Sequence, residues 1–433
     1  MEVEKKPTQT LEDDSIDQWD TDLEEKEDSR LSFSGAELYL LACQQIGTVP
    51  ISSFLRHSDE PTLNLNSYGV GPLGAKALAI ALKDDIVVTQ LELENNGLQQ
   101  QGTRYLMNML KDNITIQSLN LSFNRLGLEG AKIMSEMLPY SYYVKSFKLA
   151  GNHFDDSAVK YLTDALKDDE VVKALDLSDN NIREAGGEHL CHMLARNDCM
   201  EVLNLSWNLL RMRGAVALSA GLKVNSALKQ LRLSNNNLGQ KEAESLGQAL
   251  KLNRTLVLLD LTGNNIDDQA VTLLCQGLVI NDTLRVLKLA RNPMTNIGAL
   301  KLLETVKRNT NSAIEEIDIT MTFVYETFLE LLEEVRKTRP ALKVQFDVMR
   351  FVHRDVDALR LFKKFLEEQN QSIMDFFADL DQEKTMKVST SAFRSALKEG
   401  NAPLDQRQVH WLVTKFDKKC TSSINLRQFA ELS

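Results

Sequence analysis

Two sets of residues in this chain carry types that bind metals. His189, Cys191, His192 and Cys199 stand within eleven positions and offer imidazole and thiolate, the ligands of zinc. They lack the paired Cys-x-x-Cys or His-x3–5-His spacing that brings four ligands together, so no zinc centre is expected. Asp381, Glu383 and Thr385 stand at positions 1, 3 and 5 of a segment shaped like a twelve-residue calcium loop. Such a loop also wants glycine at position 6 and a bidentate glutamate at position 12. Here those positions hold Met386 and Ala392, which leaves three weak calcium candidates and no resident metal. No phosphate-cradling glycine loop, nucleophile elbow or kinase signature occurs, so catalytic residues and cofactors are expected to be none and the chain is read as a non-enzyme.

The elements that position these residues follow from a repeat. Leu-x-Leu-x-x-Asn recurs every 28 residues, with asparagines at Asn96, Asn124, Asn152, Asn180, Asn208, Asn236, Asn264 and Asn292. A fixed period of that size marks a solenoid. The strand leucines begin at Leu63/Leu65, with Tyr68 at the asparagine position, and end in a degenerate Ile317/Ile319 with Thr322 there. That makes ten units over residues 62–346, closed by Leu342, Val344 and Phe346. In each unit, offsets 12, 15 and 19 from the first strand leucine fall on one helical face, as in Ala131, Met134 and Leu138. The expected fold is therefore α/β: a leucine-rich-repeat solenoid shaped as a horseshoe, with a parallel sheet inside and helices outside. Strands spaced by ~4.8 Å and helices by ~8–10 Å force the sheet onto the concave side. A 28-residue unit with a full helix resembles the ribonuclease-inhibitor-like class of leucine-rich repeats, and this chain looks like the leucine-rich-repeat-containing protein 74 group.

Residues 1–30 carry twelve acidic and four basic residues, hence −8 of the formal −11. They read as a disordered acidic tail, and residues 31–61 as a helical N-terminal cap. The acidic balance argues against nucleic acid and against docking on an anionic membrane. No apolar run is long enough to span a bilayer. Five cysteines, an odd number, with no export signal suggest free thiols in a cytoplasmic setting.

After Asp347 the period is lost, and residues 347–433 read as an all-α module. Phe377-Ala-Asp-Leu-Asp381 leading to Val388 and Phe393 aligns with Phe416-Asp417 leading to Ile424 and Phe429. This resembles a degenerate EF-hand pair. Lys419, Ser422 and Gln428 spoil the second loop as the substitutions above spoil the first.

The eight asparagines are expected to be structural, because a turn leaving a strand must satisfy its backbone polar groups. The residue between the strand leucines faces the concave surface: Asn64, Glu92, Asn120, Lys148, Asp176, Asn204, Arg232, Asp260 and Lys288. Lys148 with Asp176, and Asp260 with Arg232 and Lys288, are one strand apart and are expected to pair. Phe123 and Trp207 stand just before the column asparagine, at a rim position suited to an interface anchor. Candidate partner-binding residues are thus Phe123, Trp207, Lys148, Asp176, Arg232, Asp260 and Lys288. The main functional expectation is a non-catalytic protein-protein interaction scaffold that binds a protein on the concave face or rim. The resemblance also implies two alternatives. One is a GTPase-activator-like regulator using Arg125, Arg211 or Arg213, since such activators share this repeat class. The other is a calcium-responsive binding protein. A cilium or flagellum is implied as a location by the resemblance alone.

Overall fold

The computed structural model describes residues 34–348, 354–381, 385–400, 402–417, 421 and 423–425. The acidic tail, Glu383, Lys419, Ser422, Gln428 and Phe429 lie outside them. The chain divides into two compact units, Met1–Asp347 and Val348–Ser433.

The first unit is an eleven-stranded sheet whose strands lie side by side in chain order, β1 to β11. β1 is Thr62–Asn64 and β9 is Val286–Lys288; each of these nine strands has three residues. They pair parallel with a register shift of one repeat, so Leu91 lies beside Leu119 and Lys148 beside Asp176. Between consecutive strands runs one helix, such as Gly127–Met137 or Asp268–Leu278. The strand leucines and the helix residues at offsets 12, 15 and 19 are buried together in one continuous apolar core. A three-residue strand followed by a three-turn helix cannot bury its apolar face alone; stacking neighbours closes it.

The ends differ from the middle. Gly35–Ile46 and Ser52–His57 are helices that cover the first repeat, and Tyr39 and Phe54 pack with ring centroids 4.1 Å apart. Ser34 and Glu37 form a reciprocal capping box that starts the first of them. At the far end β10 runs nine residues, Glu316–Val324, and β11 is Lys343–Val348. Thr322 falls inside the long strand, where the other repeats turn. It is buried, and its hydroxyl finds no hydrogen-bond partner.

The asparagine column joins the repeats. Asn124 donates from Nδ2 to the carbonyls of Leu93 (2.8 Å) and Ser122 (3.0 Å). Its Oδ1 accepts from the amides of Asn96 (2.9 Å) and Leu98 (3.2 Å) one repeat back. All eight are buried. The structure also contains a second column that the sequence reading passed over: Asn113, Asn197, Asn225, Asn253, Asn281 and Asn309. Each lies at or just past its own helix's C-terminal end and donates to the preceding repeat. Asn225, for example, reaches Leu194 O (2.8 Å) and Asn197 O (2.9 Å), and its Oδ1 accepts from Leu228 N (2.7 Å). Where Asp85 and Asp169 replace it, the amides are still accepted, as from Val88 (2.7 Å) and Val172 (2.6 Å). A carboxylate has no proton to give the neighbouring carbonyl.

The second unit holds helices Arg354–Glu368, Ile373–Leu380, Thr390–Glu399 and Gln406–Phe416, with a two-stranded antiparallel pair, Lys387–Ser389 and Ser423–Asn425. Its core is aromatic: Phe362, Phe376, Phe377, Phe393 and Phe416 meet mostly edge to face at 5.3–6.2 Å.

Candidate functional site: the strand-to-helix rim and the concave face

Each strand leaves the sheet through a loop that must turn sharply inside one repeat. The residue before the column asparagine takes a left-handed backbone in Ser67, Asn95, Phe123, Gly151, Asp179, Trp207, Asn235, Gly263 and Arg291, with φ between 54° and 68°. Glycine and asparagine suit that conformation, whereas bulky side chains rarely adopt it. Phe123 and Trp207 therefore sit where backbone geometry favours something smaller. Both remain exposed, Phe123 at 42% and Trp207 at 62%. They are not equivalent. The Phe123 ring lies over Gly151 of the next loop, so close that a Cβ there would stand 2.2 Å from the ring. Part of Phe123 is thus spent on its neighbour.

The loop around Trp207, between β6 (Val202–Asn204) and the helix Arg213–Val224, departs from its counterparts. Met212 has φ 54° and ψ −123°, the first central position of a II′ turn, which glycine normally fills. The turn closes with Gly214 N donating to Arg211 O (3.3 Å). Met212 N donates to Glu242 Oε1 (2.7 Å), and Gly239 N donates to Glu242 Oε2 (2.8 Å). Glu242 is buried, so one carboxylate fixes both the strained turn and the next helix start. Trp207 N donates to Ser234 O (2.7 Å), and Leu209 N to Ile182 O (2.9 Å), which ties the loop to both neighbours.

The concave face corrects the expected charge pairs. Strand register does place Lys148 beside Asp176, and Asp260 beside Arg232 and Lys288. None of those pairs forms an ion pair among the described residues. Asp176 accepts instead from Ser178 N (2.8 Å) and Ser178 Oγ (2.6 Å), and Asp260 from Thr262 N (3.0 Å). An aspartate side chain is short enough to close an Asx turn on its own strand end, and the other Asp176 oxygen accepts from Asn204 Nδ2 (3.0 Å) on the next strand rather than from Lys148. Lys148 reaches past Asn120 to Glu92 Oε1 (2.8 Å), two strands away. Asn120 is buried beneath that contact, donating to Glu92 Oε2 (2.6 Å), so it does not present itself as the column pattern suggested. Arg232 donates to Gln230 (3.0 Å) on its own strand.

The metal candidates stand apart. No three His, Cys, Asp or Glu side chains converge among the described residues. Cys191 lies where the helices Glu184–Leu194 and Arg213–Val224 approach closely: a Cβ on Gly221 would stand 2.8 Å from its carbonyl oxygen. His189 and His192 line a shallow convex groove with Lys160, Lys167 and Arg196. In the second unit Asp381 Oδ1 accepts from Thr385 N (2.9 Å) and Thr385 Oγ1 (3.0 Å), and Oδ2 from Met386 N (2.6 Å). Burial pulls its carboxyl upward, but those donors outweigh it and hold the group below its usual range. Asp417 repeats the arrangement with Thr421 N (2.9 Å) and Oγ1 (3.0 Å). Met386 has the left-handed φ of 59° that the sixth loop position demands. A cleft of about 580 Å3 opens between the helices Thr390–Glu399 and Gln406–Phe416, lined by Leu397, Ala402, Leu404 and Val409 with Arg394 and His410. Arg125 lies in one strand-to-helix segment of the first unit, and Arg211 and Arg213 lie at the end of another and the start of its helix, all solvent-exposed. No helix among the described residues is long and apolar enough to cross a membrane.

The leucine-rich repeat family profile matches residues 112–133, 170–191, 252–275 and 281–303. Human leucine-rich repeat-containing protein 74B is 44% identical over 68 residues, which is 16% of this chain and 17% of that relative. A solved structure of leiomodin-1 actin-binding site 2 aligns over 40% of this chain and 87% of its own, at 19% identity and a TM-score of 0.27. The matched segments show leucine-rich repeats in the first unit, the uninterrupted 28-residue register and the buried asparagine column run through them, and one stretch is similar to leucine-rich repeat-containing protein 74B.

Proposed function

We propose that the chain is a non-catalytic scaffold and that a partner protein binds its first unit along the strand-to-helix rim, with Trp207 as the central anchor. Leucine-rich repeats generally serve protein-protein interaction, and the fold offers them a long exposed sheet and rim. The observation that carries the assignment is the left-handed backbone under Trp207 and Phe123. A residue held in a sparsely populated conformation is retained for something other than local stability. A large amphipathic ring that gains no burial there is suited to gain it from a partner. Phe123, half-spent on Gly151, is a secondary contact. Lys148, Asp176, Arg232, Asp260 and Lys288 line the adjoining concave face; the two aspartates are occupied by their own turns, which leaves Arg232 and Lys288 available to a partner.

The second unit is read as a degenerate EF-hand-like helix pair that keeps its fold without calcium. Asp381 already spends its carboxylate on Thr385 and Met386, and Ala392 stands where a bidentate ligand would be. Free thiols at Cys43, Cys191, Cys199 and Cys275 fit a reducing compartment.

The test is quantitative co-purification from native tissue with the full chain, Trp207→Ala and Phe123→Ala. A partner lost with Trp207→Ala and weakened with Phe123→Ala supports the rim. A partner indifferent to both, with each variant still folded, removes it.

A further inference from the structure

The chain is acidic, yet from residue 202 to 241 it contains six cations, Arg211, Arg213, Lys223, Lys229, Arg232 and Lys241, and no acidic residue. Three of the six gather around the Trp207 loop. Arg211 and Arg213 flank Met212 on the strained turn, and Arg232 sits on β7 (Gln230–Arg232) in register with Asn204, at the base of the loop. None of these three has a carboxylate partner among the described residues; Lys229, just before the start of the same strand, is held by Glu201 (2.8 Å). Beside these arginines the loop exposes Trp207, Leu209 and Met212, and the helix that follows, Arg213–Val224, exposes Val216 in its first turn. Four apolar side chains interleaved with three unneutralised guanidiniums is an uncommon surface on a protein of net charge −11. The Met212 backbone, pinned by buried Glu242, fixes the turn that carries Arg211 and Arg213.

Resting on the rim reading above, we propose that this loop recognises an acidic segment of a partner protein that also carries aliphatic or aromatic side chains. The arginines meet carboxylates, with which guanidinium pairs bidentately, and Trp207 and Met212 cover the apolar groups between them. Charge steers the encounter and apolar burial holds the complex.

The test uses the full chain and two short fluorescent peptides of identical leucine and tryptophan pattern, one with glutamates and one with lysines, read by anisotropy. The glutamate peptide saturates; the lysine peptide does not. Raising NaCl from about 0.05 to about 0.3 M weakens the glutamate peptide roughly tenfold. R211E/R213E abolishes its binding, R211K/R213K weakens it without abolishing it because an ammonium cannot pair bidentately, and Met212→Gly weakens it by removing an apolar contact. Equal binding of both peptides, no binding, or binding indifferent to R211E/R213E overturns the proposal. A variant with the acidic residues of 1–30 changed to amides covers the cis occupant. If the glutamate peptide saturates only in that variant, the chain's own acidic segment occupies the loop and the partner assignment is overturned. Co-purification lost with Trp207→Ala while neither peptide binds leaves the rim reading intact and removes only its acidic chemistry.

Discussion

Replacing Asn152 with alanine isolates the force that joins one repeat to the next. Its side chain accepts from Asn124 N (2.9 Å) and Leu126 N (3.4 Å) and donates to Leu121 O (2.9 Å) and Ala150 O (3.3 Å). The residue is fully buried, so water does not replace those partners. Orphaning a buried amide costs about 1–3 kcal/mol, and the long bond to Leu126 belongs at the bottom of that range. The carbonyls lose less, because each keeps a second lone pair. The sum is about 3–5 kcal/mol, placed in the middle of the array, where both flanking repeats feel it. Urea unfolding followed by far-ultraviolet circular dichroism measures it, with tryptophan fluorescence as a second probe because long repeat arrays need not unfold in one step. Asn64→Ala is the control. Asn64 is exposed and accepts only from Asn66 N (3.0 Å), so its loss is about 1 kcal/mol or less. A loss below about 1 kcal/mol at Asn152, or a loss of partner capture with stability unchanged, refutes the scaffold assignment and makes the column a binding stripe.

Other consequences follow from the same geometry. Trp207→Asn places at φ 57° the residue type that Asn235 supplies one repeat on, so stability holds within about 1 kcal/mol while partner capture falls; a larger loss by denaturant titration would mean that the ring packs inward. Met212→Gly relieves a turn that glycine prefers and raises stability by up to about 1–3 kcal/mol, whereas Glu242→Ala frees two amides and lowers it by about 2–4 kcal/mol; the opposite order of unfolding midpoints refutes the strain argument. Hydrogen bonds from Ala270 and Gln240 lower the Asp267 carboxyl, and those from Ser372 lower Asp375. Depressed carboxyls contribute stability above their unfolded value of about 4 and lose it as pH falls through the folded one, so melting temperature declines on the acid side and Asp267→Asn flattens part of that decline. Burial pushes the Cys275 thiol up to about 11, so native protein at pH 8 resists iodoacetamide at Cys275 until urea unfolds the chain; rapid native labelling there contradicts the packing.

Particular residues show where sequence reading sufficed. The 28-residue spacing of Leu91, Leu119 and their successors gave strand positions, helix faces and the buried asparagines, because a repeat cannot shift register without exposing its core. The alignment of Asp381 with Asp417 anticipated two like-built turns, and Val388 pairs with Ile424 as their equal offsets suggested. The second asparagine column was legible in principle, since Asn197, Asn225, Asn253, Asn281 and Asn309 keep the same period. It lies at helix ends, outside the leucine motif, where the strand pattern carries no signal for it. The charge pairs were misjudged for a different reason. Cross-strand adjacency is written in the sequence, but whether an aspartate turns to its neighbour or to its own i+2 amide depends on side-chain length against loop geometry.

What the sequence determined alone is therefore the periodic part: strand, turn and helix repeated in fixed register, with apolar residues inward, because hydrophobic periodicity and backbone satisfaction are local and recur unchanged. What only the tertiary structure decided is the individuality of each loop. The left-handed backbone beneath Trp207, the ring of Phe123 resting on Gly151, the II′ turn at Met212 held by Glu242 from the next repeat, and the reach of Lys148 to Glu92 all depend on side chains that are distant in sequence and adjacent in space. Such contacts are set by which partner a side chain can reach after the repeats have stacked, and the period carries no information about that choice.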